Sequence, residues 1–92
     1  MTGDRVSIVR RIRQLEPLVC HAFLRAGVDP EVVSLLLSGL QVEPYVEMEM
    51  LLDNLIEREI PLSLEEGALV IDLATDMEFP ELALKLIRDL IR

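Results

Sequence analysis

Apolar residues recur at intervals of three and four along almost the whole 92-residue chain, and no window alternates apolar and polar residues long enough for a convincing strand. This repeat places side chains on one face of an α-helix. Five prolines divide the pattern into short pieces. The sequence therefore predicts an all-α fold, a compact single-domain bundle of five or six short helices over residues 1–92. The expected helices span 4–15, 17–26, 30–38, 44–59, 64–77 and 80–91, and the first two are either separate or one helix bent at Pro17.

Capping signals support several of these boundaries. Asp29 is a good N-cap residue and is followed by a proline, which is tolerated at the first helical position. Ser63 and Glu66 have the spacing of a capping box. Gly27 stands where a C-terminal cap is expected.

Helical wheels at roughly 100° per residue predict which faces are buried. The expected apolar stripes are Met48, Leu51, Leu52, Leu55 and Ile56 on 44–59, Leu69, Val70, Leu73, Ala74 and Met77 on 64–77, and Leu82, Leu86, Ile87 and Leu90 on 80–91. Segment 30–38 is apolar all round, which predicts a central buried helix. Gly67 lies on an apolar side, where close helix packing explains it better than a functional role.

Charge is distributed unevenly along the chain, whose formal net charge is −8. Residues 1–26 hold five arginines and two acids, residues 27–81 hold fourteen acids and the single base Arg58, and the last eleven residues hold three bases and one acid. The negative charge is therefore concentrated in the middle of the chain.

The composition excludes several classes of protein. A chain that is 51% apolar is not a disordered tail. Its acidity and its three aromatic residues argue against direct binding of nucleic acid, which needs basic surfaces and stacking platforms. Apolar runs are too short for a membrane span, Cys20 has no partner cysteine, and no signal peptide is recognisable. These observations predict a cytoplasmic protein.

Residues suited to catalysis are scarce. Cys20 and His21 are neighbours that point about 100° apart on a helix, so a nucleophile–base contact between them is not expected. Glycines are scattered, no cluster has zinc spacing, and the acids around Asp72 do not match a calcium loop. The acids are expected on solvent-facing arcs, where nothing shifts their pKa. The sequence therefore predicts no catalytic residue, no metal and no cofactor, and a small enzyme using Cys20 and His21 is the least favoured reading.

Acids on two predicted helices suggest a binding surface instead. They form one line on 44–59 and a second on 64–77, with Val46 and Met50 as apolar anchors beside the first line. Like charges four residues apart are mildly destabilising, and acidic surfaces favour basic partners. We predict partner binding through these lines, and the alternative is a solvated face that keeps the protein soluble. The predicted partner-binding residues are Glu49, Met50, Asp53, Glu57, Glu65, Asp72 and Asp76.

The stretch 46–63, VEMEMLLDNLIEREIPLS, resembles the central signature of the MafI-type family of bacterial immunity proteins. That family shows a helix with Ala-Leu-Glu, then Leu-Cys-Asp-Asn/Gln-Leu-Tyr-Glu-Tyr-Asp, then an apolar-Pro-apolar-Ser turn. The positions that match in type and spacing are Met48, Glu49, Leu51, Asp53, Asn54, Leu55, Glu57, Pro61 and Ser63. The likeness extends over roughly 43–91, through Glu65, Glu66, Ile71, Leu73, Met77 and the run from Leu86 to Ile91. The departures are Leu52 for the cysteine, Ile56 and Arg58 for the two tyrosines, Gly67 at a commonly aromatic position and a missing tryptophan in the last helix.

The resemblance implies an immunity protein, or antitoxin, that neutralises a cognate polymorphic toxin domain, often a nuclease, in the cell that makes it. Such a protein needs no chemistry of its own and is expected as a monomer or weak dimer. The alternative is an adaptor of death-fold type, a class of about 90 residues and six helices that assembles through patches of opposite charge. The basic start and acidic middle of the chain fit that alternative, and salt-sensitive self-association would favour it.

Overall fold

A computed structural model describes residues 5–38 and 43–92, apart from the side chains of residues 5, 37 and 38. Within these ranges the chain forms five helices and no named strand, which confirms the all-α prediction. The helices are α1 (Arg5–Arg25), α2 (Pro30–Ser38), α3 (Pro44–Glu57), α4 (Leu64–Asp76) and α5 (Glu81–Arg88). The two predicted N-terminal helices are one helix with Pro17 inside it. The predicted start at residue 4 lies outside the described residues.

Four helices pack in a ring around the core. α1 contacts α3 and α4, and α5 contacts the same two helices, so α3 and α4 occupy diagonally opposite corners. α2 packs against α1 from outside the ring. The buried core consists of Ile12, Leu15, Val19, Ala22, Phe23, Val33, Met48, Leu51, Leu52, Leu55, Ile60, Leu62, Val70, Leu73, Ala74, Phe79, Leu84, Ile87 and Leu90.

The residues predicted to cap helices lie at helix ends and form the expected hydrogen bonds. Ser63 accepts a hydrogen bond from the Glu66 amide, and the Glu66 carboxylate accepts one from the Ser63 amide, which completes the capping box of α4. Gly27 has a φ of +92°, and the next amide, of Val28, donates to the Phe23 carbonyl, as in a helix C-terminal turn. The Asp29 carboxylate accepts from the Glu31 amide at the start of α2.

α3 and α4 end one or two residues earlier than predicted, and α5 spans Glu81–Arg88 instead of the predicted 80–91. Glu59 and Glu78 adopt positive φ values of 49° and 61°, and the amides of Ile60 and Phe79 donate back to carbonyls of the preceding helix. Glutamate is a good helix former and rarely caps a helix in this conformation, so the sequence did not signal these ends. Burial of the apolar residue after each glutamate accompanies the turn.

Three predictions about buried faces are wrong. α2 is peripheral, with Val33 buried but Leu35 72% exposed, because its main contact among the described helices is with α1. The Leu37 side chain lies outside what the structure describes. Leu69 on α4 is exposed. On α5, Leu82 and Leu86 are exposed and Leu84 is buried in their place. The other residues of the predicted stripes are buried or pack against the core.

The C-terminal residues lie over the start of α4. The Leu62 amide donates to the Leu90 carbonyl and the Arg92 amide donates to the Leu62 carbonyl, which forms an isolated parallel bridge between Leu62 and Ile91. This bridge holds the Ile91 side chain against Gly67, where a Cβ atom would overlap it. Close packing is therefore the role of Gly67, although its neighbour is Ile91 beyond the end of α5 and not the helix–helix contact that was predicted.

We expect Gly67→Ala to lower the free energy of unfolding by about 1 kcal/mol, because the added methyl overlaps a held side chain. In an Ile91→Ala background the same change should raise it by roughly 1 kcal/mol, the helix-propensity gain of alanine over glycine. Urea unfolding of the four chains measures both effects. An equal cost in the two backgrounds would show that Ile91 is not the cause.

Candidate acidic groove site

An acidic row lies along the outer side of α3. Glu49, Asp53 and Glu57 are exposed and stand one helical turn apart, at the four-residue spacing that the sequence showed. Glu43 caps the helix by accepting hydrogen bonds from the amides of Tyr45 and Val46. None of the ion pairs found among residues 5–38 and 43–92 includes a member of the acidic row.

A groove runs between the acidic row and α5. It has two adjoining lobes of about 250 Å³ and 180 Å³, which share Asp53, Ile56, Pro80 and Ala83. The larger lobe is completed by Glu57, Leu82 and Leu86. The smaller lobe is completed by Tyr45, Glu49, Leu52 and Phe79. The lining combines an apolar floor with all three carboxylates of the acidic row.

Two details of α3, of α5 and of the turn before α5 shape this groove. The rings of Tyr45 and Phe79 stack in parallel with centroids 4.4 Å apart and form a wall of the smaller lobe. On α5, the small side chain of Ala83 leaves space, while Leu82 and Leu86, 67% and 37% exposed, stand beside it. The two leucines that the wheel assigned to the core therefore belong to the groove. We call the acidic row together with these two lobes the acidic groove.

Sequence reasoning missed the part of the site that α5 supplies. The 80–91 segment showed an apolar stripe, but a stripe alone does not indicate which of its residues find a partner helix. Leu84 and Ile87 turn into the core, and no other described helix covers the exposed side of Leu82.

The acids of α4 are not brought together with the acidic row. Glu65 and Asp72 are exposed, but α4 lies diagonally across the ring from α3. Asp76 accepts a 2.6 Å hydrogen bond from Arg11 of α1, so its charge is compensated within the chain. The predicted set of site residues therefore divides into an α3 part at the groove and an α4 part elsewhere.

The two predicted apolar anchors are exposed but lie away from the groove. Met50 and Val46 are each 38% exposed on α3. Neither contributes to the lining of the groove, which lies along another side of the helix. The apolar surface nearest the acidic row comes from α5 instead.

Two acids contradict the expectation that all carboxylates lie in solvent with ordinary pKa values. The Glu47 carboxylate is almost fully buried, 2.9 Å from an Arg13 nitrogen, and Arg13 also binds Glu16 at 2.8 Å. Burial raises the pKa of Glu47 to about 7, a hydrogen bond with Glu16 adds to the increase, and the charge of Arg13 opposes it.

Glu66 is the opposite case. Arg25 donates two hydrogen bonds to its carboxylate, at 2.8 and 3.1 Å, and a third to the Pro61 carbonyl. The hydrogen bond from Arg25 lowers the pKa of Glu66 to about 2, against the opposing effect of burial. Arginines of α1 thus compensate acids on both neighbouring helices, which the charge sums along the sequence did not reveal.

Other kinds of site receive no support among the described residues. Cys20 is partly buried and packs against the core, while His21 is exposed, so the two side chains lie in different environments. Residues 5–38 and 43–92 contain no group of three or more side chains that could hold a metal ion. In the same ranges no helix is long and apolar enough to cross a membrane.

Comparison with family models, with curated proteins and with solved structures finds no match to this chain. The candidate site therefore stands on its geometry and on the charges of its residues.

Proposed function

We propose that this chain is an immunity protein that binds and neutralises a toxin domain with a basic surface, and that the acidic groove is its binding site. The observation that carries the proposal is that the acidic row combines carboxylates outside the ion pairs of the described residues with an apolar groove. Glu65 and Asp72 are also outside those ion pairs, but they do not line the groove. Asp76, Glu47 and Glu66 are paired with arginines of α1.

The physical character of the groove suits protein binding. Apolar side chains in the centre of an interface supply most of the binding energy, and charges at its rim steer the encounter and select the partner. Like charges one turn apart are mildly destabilising in the free protein. Positive charges of a basic partner offset that repulsion, which makes the free energy of binding more favourable.

A nuclease toxin provides such a partner. Nucleases bind phosphates through lysine and arginine, and an acidic protein competes for the same surface. Inhibition then requires only occupancy of the basic surface and no catalytic residue in the inhibitor. This is the role that the resemblance to the MafI-type family implies.

Some of the residues that carry the resemblance serve the fold, and others lie in the acidic groove. Leu51 and Leu55 are buried in the core, and Ser63 caps α4. Asp53 and Glu57 are exposed in the acidic groove. The resemblance therefore includes acids that the fold does not use for its own ion pairs.

The death-fold alternative receives less support from the same contacts. Assembly through opposite patches needs an exposed basic surface as well as an acidic one. Arg11, Arg13 and Arg25 already bind carboxylates of their own chain, so Arg10 is the one α1 arginine with a described side chain that is outside the ion pairs. We therefore favour the immunity protein.

The test is to mix the full chain with the toxin domain encoded immediately upstream of its gene and to follow the mixture by gel filtration. We expect a complex of fixed stoichiometry that dissociates more readily as salt is raised. Toxin activity should fall in proportion to the complex formed. Absence of a neighbouring toxin gene, or separate elution of the two proteins, would contradict the proposal.

A further inference from the structure

The dimensions of the acidic groove match one helix of a partner. The lining residues run from Tyr45 to Glu57 along α3, a distance of about 18 Å at 1.5 Å per residue. A partner helix of about twelve residues covers that length. The two adjoining lobes offer apolar surface to the side chains of such a helix.

The groove favours a helix over an extended chain. Apart from Phe79 and Pro80 in the turn before α5, its lining residues lie on α3 and α5, whose backbone groups are engaged in their own hydrogen bonds along their length. An extended peptide on the apolar floor would bury backbone N–H and C=O groups without partners, which is costly. A helix satisfies those groups internally and presents side chains only, as in other helix-in-groove complexes.

The acidic row defines the polar flank of that helix. Carboxylates four residues apart are about 6 Å apart along the α3 axis, and Lys or Arg at a four-residue interval on a helix aligned with α3 has the same spacing. A second copy of this chain is a poor occupant, because a symmetric contact through this face would set acidic row against acidic row.

From these observations we propose that the acidic groove binds one basic amphipathic helix of the partner, with apolar residues in the two lobes and Lys or Arg facing Glu49, Asp53 and Glu57. This inference rests on the proposed function, in which the groove is the binding site. It adds the chemical character of the partner segment that binds there.

The probe is a synthetic 14-residue peptide with leucines at helical i, i+3, i+4 and i+7 positions and lysines along one flank. Its control has the same composition rearranged so that leucine and lysine alternate. Fluorescence anisotropy with the full chain measures affinity, and circular dichroism measures helix formed on binding. We expect saturable binding of the helical peptide, at least tenfold tighter than the control, with increased helix content.

Matched variants locate the bound peptide. Leu82→Gln with Leu86→Gln removes exposed apolar surface from the groove, and Leu64→Gln with Leu69→Gln removes exposed leucines from α4. The α5 pair should weaken peptide binding at least tenfold and the α4 pair less than threefold. All four leucines are exposed, so both variants are expected to keep the native circular dichroism spectrum.

Three outcomes would overturn this inference: equal affinity of the two peptides, equal loss from the two pairs of variants, and no saturable binding at 1 mM peptide. The inference would also be overturned if the chain self-associates and the two α5 substitutions abolish that self-association. The groove would then bind a second copy of the chain. None of these results decides whether the chain binds the toxin domain, because gel filtration tests that separately. The two proposals can therefore fail independently.

Discussion

Replacing Asp53 and Glu57 by lysine is expected to weaken binding to the toxin domain at least 100-fold without unfolding the protein. Each substitution turns an attraction to a basic partner into a repulsion, and like charges facing each other cost several kcal/mol. A 100-fold loss corresponds to about 2.8 kcal/mol. The fold should persist because both side chains are exposed and in no ion pair among the described residues. Titration calorimetry gives the affinity and urea unfolding gives the stability.

The matched control is Glu65→Lys with Asp72→Lys. It changes the net charge by the same amount, on exposed residues of the diagonally opposite helix. Asp76 is left unchanged because its reversal would also remove the ion pair with Arg11. We expect less than a threefold effect from the α4 pair. Equal losses of affinity from the α3 pair and the α4 pair would show that net charge causes the effect. Unchanged affinity in both variants would show that the acidic row is only a solvated surface.

Replacing Arg13 by methionine is expected to destabilise the protein strongly at pH 8 and much less at pH 5. Removal of Arg13 leaves the carboxylate of Glu47 buried without its cation. Because the Arg13 side chain is 41% exposed, the cost should be smaller than the roughly 3–5 kcal/mol typical of a fully buried pair, about 2 kcal/mol at pH 8. At pH 5 Glu47 is protonated in the folded state, so the cost there should fall below about 1 kcal/mol.

The sign follows from the raised pKa. The pKa of Glu47 is about 7 in the folded protein against 4.5 as its ordinary value, so the folded state binds more protons between these pH values. The contribution of Glu47 to the free energy of unfolding is therefore greatest below pH 4.5 and falls as the pH rises towards 7. Without Arg13 the pKa rises further and the decline extends to higher pH. Urea unfolding at pH 5 and pH 8 measures the difference.

The control for the second prediction is Glu47→Gln, alone and combined with Arg13→Met. The amide has no charge to compensate, so adding Arg13→Met to Glu47→Gln should cost nearly the same at both pH values. A cost of Arg13→Met alone that does not change with pH would show that the ion pair with Glu16, or lost packing of the arginine stem, is what matters.

The helices themselves were largely predictable, because helix formation and capping depend on residues close in sequence. Ser63 and Glu66 complete a capping box, and Gly27 supplies the positive φ that a helix end needs. The ends at Glu59 and Glu78 were not predictable in this way. There the burial of the following apolar residue outweighs the cost of an unfavourable backbone conformation, and burial is a tertiary property.

The candidate site was half predictable. The four-residue spacing of Glu49, Asp53 and Glu57 follows from helix geometry once the helix is known. The apolar half was missed, since Leu82 and Leu86 looked like core residues on a wheel. A wheel shows that residues share a face, but only the packing of helices against each other decides whether that face is covered.

The sequence by itself determined that this protein is helical and where its negative charge is concentrated, because periodicity and composition are local quantities. The tertiary structure decided which charges remain available to a partner. It set arginines of α1 against Glu47, Glu66 and Asp76, far apart in sequence, and placed the acidic row beside the exposed leucines of α5. Ion pairs and grooves form between segments that the sequence separates, so their positions depend on how the helices pack.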